Sequence, residues 1–113
     1  MLMIPWKLVR DRVPTLIKAR GAQCLTKQLE GRKYVQAIAK KLVEEAKEVG
    51  AAKDRASLIS ELADLQEVFD TYRSANMITL QEVEHSRRRK LEHSGGFKEG
   101  LFLYLIFGTK EKK

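Results

Sequence analysis

Five carboxylates in the middle of the chain carry the strongest chemical signal. Glu44, Glu45 and Glu48 fall in one run, a short polar break follows, and Glu61 and Asp64 complete the set. Carboxylates gathered in one place repel one another and lose hydration, so a bound divalent cation is the natural compensation. Hard oxygen ligands suit Mg²⁺, with Mn²⁺ as the alternative ion. The basic side chains elsewhere then read as partners for phosphate oxygens.

Two helices must position these acids. A long helical pattern runs from Gly31 to about Val49 and is closed by Gly50. A second begins at Asp54 or Ser57, both good N-caps, and runs to about Ser74. Val35, Ile38, Leu42 and Val49 mark the apolar seam of the first helix; Leu58, Leu62, Leu65, Phe69 and Tyr72 mark that of the second. At ~100° per residue, Glu45 lies about 60° to one side of Leu42, and Glu48 about 120° to the same side. Glu61 lies roughly 40° and Asp64 roughly 100° from Leu65, in the same angular sense. Glu44 points away from the seam. A short turn makes the helices antiparallel, which puts both pairs on one side of the hairpin, about 12 Å from the turn along each axis. Glu45, Glu48, Glu61 and Asp64 should therefore converge at one level. For any single acid the plainer account is a solvated helix face paired with Lys41, Lys47, Lys53 or Arg55. Random solvated acids need not share both side and level, and the set of four favours a site.

The rest of the chain frames this hairpin. Pro14 suits the first turn of a helix ending near Gly21. Residues 23–29 (QCLTKQL) alternate as a short strand does, and residues 101–107 (LFLYLIF) read as another that could pair with it. Thr79 could cap a further helix to about Glu92, followed by a loop from His93 to Gly96 and a frayed KEKK tail. The expected architecture is mainly α, an antiparallel bundle of about four helices in a single domain over residues 1–113, with that small two-stranded β element left open.

The acid pattern, EExxE followed by ExxD, resembles the metal motif of the MazG-like all-α nucleoside triphosphate pyrophosphohydrolases. Two more blocks carry the resemblance in the same order. KLVRDRVP, residues 7–14, looks like the N-terminal block of the phosphoribosyl-ATP pyrophosphohydrolase-like branch, and residues 90–97, ending GGF, look like its C-terminal block. The resemblance implies a helical bundle, usually oligomeric, that uses Mg²⁺ to split a nucleoside triphosphate into monophosphate and pyrophosphate. It implies metal ligation by Glu45, Glu48, Glu61 and Asp64, in agreement with the angular argument, and an outer or water-orienting place for Glu44. The branch commonly has a basic residue before the Gly-Gly pair, where this chain has His93-Ser94.

Phosphoanhydride hydrolysis needs screened phosphate oxygens and an activated water. Glu44 or Glu48 is the candidate base. Lys7, Arg10, Arg12 and Lys90 are the candidate phosphate contacts, and Gly95-Gly96 could present backbone N–H groups. Each has a bland counterpart: Arg10 and Arg12 as surface ion pairs, Gly95-Gly96 as a turn, and RRRK at residues 87–90 as a solvated helix face. Trp6 and Phe97 could stack on a base but suit packing better. His85 and His93 lack ligand spacing.

The totals bound the reading. The net charge is +7, from 22 basic and 15 acidic residues, which favours polyanionic partners without choosing among them. Cys24 is the only cysteine, so no internal disulfide forms and no multi-cysteine zinc site exists. The first residues, interrupted by Pro5, are too short for a secretory segment, and residues 101–107 too short for a membrane helix. A soluble cytoplasmic protein that does not engage membranes is expected. Leu-rich faces on so small a chain predict a homodimer or higher homo-oligomer. Three rivals remain: phosphoribosyl-ATP as the substrate, a relative that binds nucleotide without turnover, and a non-catalytic helical protein binding nucleic acid through its charge, which would show steep salt dependence.

Overall fold

A computed structural model describes residues 6–108. The stretch containing Pro5 and the KEKK tail lie outside the described residues. The chain divides into two compact units, residues 1–79 and residues 80–113.

The first unit holds three helices: α1 (Val13–Ala19), α2 (Gly31–Ala51) and α3 (Arg55–Ala75). Pro14 sits in the first turn of α1, where its missing N–H has no intrahelical partner to lose. α2 and α3 form the antiparallel hairpin that the short break at Ala52–Asp54 dictates. Gly50 does not stop α2 as its residue type suggested. The helix continues to Ala51 and ends where Ala52 turns to extended backbone at ψ 136°. Asp54 is the cap of α3: its carboxylate accepts the Ser57 N–H at 2.8 Å, satisfying one of the helix's orphan donors.

That hydrogen bond holds the Asp54 carboxyl below the usual aspartate range. Its contribution to stability is therefore present above the ordinary aspartate pKa and lost as pH falls through the lowered folded value. Asp54→Ala should lower the urea midpoint at neutral pH, and the gap to wild type should shrink on acidification. A gap that persists undiminished at acid pH would mean that the ionised carboxylate is not what holds this end of α3.

The hairpin core is small. Ile38 is fully buried, and Val35, Leu42 and Val49 on α2 and Leu65 and Tyr72 on α3 are half-buried. The seam expected on α3 is only partly covered, since Leu58, Leu62 and Phe69 remain exposed. At the far end of α3, Arg73 donates to the Ile78 carbonyl at 2.9 Å and Asn76 to the Tyr72 carbonyl at 2.8 Å, which closes the last turn.

The second unit is built on α4 (Leu80–Ser94), which runs two residues past the expected end at Glu92. Gly95, at φ +79°, ends it in the left-handed conformation that glycine adopts without steric cost, and its N–H bonds to the Leu91 carbonyl at 2.8 Å. Arg87 and Arg88 pair with Glu84 at 2.6 and 3.5 Å, so two members of the RRRK run serve an ion-paired helix face.

The two expected strands do not form. Among the described residues there is no strand; residues 23–29 and 101–107 are irregular, with Leu25 and every residue of 101–107 exposed. An alternating pattern qualifies a segment for a sheet, but a strand exists only when a neighbour pairs with its backbone groups. None does here. No helix among the described residues is long and apolar enough to cross a membrane.

Candidate metal centre

Helical periodicity places Glu45 two turns along α2 from Ile38, on the same buried face. Glu45 is the single buried charged residue among those described, only 5% exposed. Glu61 and Asp64, three residues apart on α3, come up opposite it. One ligand oxygen from each of Glu45, Glu61 and Asp64 can be chosen so that all three lie within 4.8 Å of one another. Oxygens around one octahedral Mg²⁺ at about 2.1 Å stand roughly 3–4.2 Å apart, so this set is of the right size for one ion.

Two observations show what this arrangement lacks. Glu45 Oε1 and Glu61 Oε1 are both buried with no hydrogen-bond partner. Buried carboxylate oxygens in that condition carry an uncompensated desolvation cost. Burial also pushes the Glu61 carboxyl above the usual glutamate range, reinforced by Glu48, Asp64 and Glu45 beside it. The donor chemistry, spacing and unpartnered oxygens fit a hard divalent cation.

Two cations flank the acids. Lys41 lies 3.3 Å from Glu45 Oε2 and 3.6 Å from Glu44 Oε1, one helical turn away on α2. It leaves Glu45 Oε1 unpartnered. Arg10, from the irregular segment before α1, reaches Asp64 Oδ1 with its Nη2 at 2.6 Å.

The sequence-derived residues therefore separate. Glu45, Glu61 and Asp64 come together. Glu48 stands outside that triad, exposed but close enough to Glu61 to raise its pKa by charge and hydrogen bonding. Glu44 is turned to Lys41, as its angle on the helix required. Lys7 and Arg12 are exposed in the first block, Arg12 at the N-terminal end of α1. Lys90, Gly95 and Gly96 belong to the second unit: Lys90 is exposed on α4, and the glycines follow its end. His93 Nδ1 and Ser94 Oγ, which replace the basic residue, sit 3.0 Å apart as a local pair.

Sequence reasoning missed two features. Lys41 was legible as a partner for Glu45 from its position four residues earlier, but not as the residue that occupies only one of its oxygens. Lys53 lines an open cleft of about 420 Å³ at the hairpin turn together with Glu48, Asp54, Ser57 and Glu61. No local pattern announces that cleft, because it depends on how the two helices meet.

A family model described as phosphoribosyl-ATP pyrophosphohydrolase matches residues 16–90, which contain α2, α3 and all five acids. Neither a curated protein nor a solved structure matches the chain.

Proposed function

Because the chain belongs to the phosphoribosyl-ATP pyrophosphohydrolase family, we propose that it hydrolyses the α–β anhydride of a nucleoside triphosphate to monophosphate and pyrophosphate, with Mg²⁺ or Mn²⁺. The observation that carries this is the triad of Glu45, Glu61 and Asp64 with two buried, unpartnered oxygens. Removal of unwanted (d)NTPs is a role such an activity would serve. Phosphoribosyl-ATP is the second substrate reading, favoured by the family that matches.

When bound, the divalent ion supplies charge for phosphate oxygens and makes water a better nucleophile. The protein's own groups do the rest. Glu45, Glu61 and Asp64 would hold the ion from two facing helices, and Lys41 fixes the Glu45 carboxylate through Oε2. Glu48, exposed beside Glu61, is the base that takes the proton of the attacking water. Glu44, held by Lys41, is the weaker candidate. As water adds to phosphorus the bridging P–O bond breaks, and pyrophosphate leaves with the electron pair. Arg10 is the phosphate contact nearest the acids, with Lys7 and Arg12 on the same segment.

The test is a panel of canonical and modified (d)NTPs and phosphoribosyl-ATP with Mg²⁺, read as pyrophosphate and monophosphate, with an EDTA control. Pyrophosphate release that EDTA abolishes is the expected result. Orthophosphate with diphosphate would move the cut to the other anhydride. No turnover on any member of the panel, with salt-dependent binding to DNA or RNA, would favour the binding-protein alternative.

The same reading includes self-association. Val43, Leu58, Ile59 and Leu62 on the hairpin are each between 38% and 55% exposed, more apolar surface than one copy covers. Sedimentation at micromolar concentration should show a dimer or larger species. A monomer alone would remove this part of the proposal.

A further inference from the structure

Arg10 stands in the metal site rather than beside it. Its Nη2 contacts Asp64 Oδ1 at 2.6 Å, and Asp64 is one of the three acids whose ligand atoms converge. The pair links residues 54 positions apart, so helical proximity does not account for it. The Arg10 side chain is 61% exposed, and among the described residues this hydrogen bond is the one that ties it to the hairpin. An exposed pair of this kind is weakly held and exchanges readily. Lys41 differs: its side chain is only 19% exposed, and it contacts Glu44 and Glu45 on its own helix.

We propose that Arg10 is the resident cation on Asp64 until a divalent ion takes that carboxylate, and that metal loading hands the guanidinium to a substrate phosphate. This rests on the metal-site reading above and goes beyond it by making metal and phosphate binding mutually dependent. The reasoning is electrostatic. Arg10 also feels the charges of Glu67 and Glu45, so a dication placed among Glu45, Glu61 and Asp64 repels it at short range. Once detached, its fork of N–H donors matches phosphate oxygens in geometry as well as charge. The outcome is ordered: without the ion, Arg10 neutralises an acid that would repel an incoming phosphate; with it, the same side chain becomes an anion contact.

The experiment is a Mn²⁺ titration without nucleotide, following the signal of free Mn²⁺ by electron paramagnetic resonance, on wild type, Arg10→Ala and Arg10→Lys. Inorganic pyrophosphate binding is then measured calorimetrically on the Mn²⁺-loaded proteins. Arg10→Ala should bind Mn²⁺ about three- to tenfold more tightly, the effect of removing one unit charge a few ångströms away at an exposed site. The same variant should bind pyrophosphate about tenfold more weakly or worse, having lost a charge-assisted hydrogen bond. Arg10→Lys should restore most of the Mn²⁺ affinity seen in wild type. A residue that merely braces the fold would give the opposite sign, with weaker Mn²⁺ binding in Arg10→Ala. Unchanged or weaker Mn²⁺ binding in that variant, or undiminished pyrophosphate binding, overturns the handover and leaves the metal site standing. Absence of Mn²⁺ binding in wild type overturns both.

Discussion

Glu61→Gln is expected to cut pyrophosphate release by a factor of about 10²–10³, the scale seen when one electrostatic element of a reaction site is removed. The helices should remain intact, because Gln keeps the shape of Glu and α3 does not depend on this charge. The stronger signature is a reversal of stability with metal. Burial and the neighbouring Glu48, Asp64 and Glu45 raise the Glu61 pKa above its ordinary value. An acid raised in the folded state ionises first in the unfolded chain. The metal-free protein therefore loses stability as pH climbs from the ordinary glutamate pKa through the raised folded one. Gln does not ionise and escapes that loss. In EDTA, Glu61→Gln should melt above wild type at neutral pH, with the gap closing toward acid. With Mg²⁺ present, wild type should gain stability by binding and the variant should gain little. If the variant melts lower in EDTA as well, Glu61 is a stabilising partner and the electrostatic account of the triad is wrong.

Ile38→Ala carries the largest expected loss of folding stability. Ile38 is the one fully buried side chain among the described residues, and removing three carbons from a packed site leaves a cavity. Such changes cost about 2–5 kcal/mol. Over a hairpin with so little else fully covered, that is a large fraction of what holds α2 to α3. The site should feel it, because Ile38 lies on the face of α2 that presents Glu45. Urea denaturation should show the midpoint falling steeply, with Ile38→Val near wild type at about 0.5–1.5 kcal/mol. Mn²⁺ affinity should decline in Ile38→Ala although no ligand has changed. A loss below about 1 kcal/mol for Ile38→Ala would mean that the hairpin is held from outside, by the exposed faces at Leu58 and Leu62 meeting another copy.

These two positions also mark where reading the chain succeeded. Helices are local objects: their hydrogen bonds span four residues, so apolar spacing and caps such as Asp54 announce them within a few positions. Once both helices and a short break between them are read from the chain, angular arithmetic brings Glu45, Glu48, Glu61 and Asp64 to one side of the hairpin. The same arithmetic set Glu44 aside, but it counted Glu48 among the converging acids, and the structure leaves Glu48 exposed outside the triad. What depended on partners distant in the chain was not legible. Residues 23–29 and 101–107 alternate like strands, yet pairing is a non-local decision and no neighbour among the described residues made it. Leu58, Leu62 and Phe69 follow the helical seam, but the coverage of a seam depends on what packs there, and one copy does not supply it. The contact of Arg10 with Asp64 spans 54 positions and follows from where the segment before α1 lies against the hairpin. The sequence by itself determined the helices, their order and the side of the hairpin on which the acids gather. The tertiary structure decided how deeply Glu45 is buried, which oxygens go unpartnered and which cation sits on Asp64, because burial and long-range ion pairs belong to packing and not to local pattern.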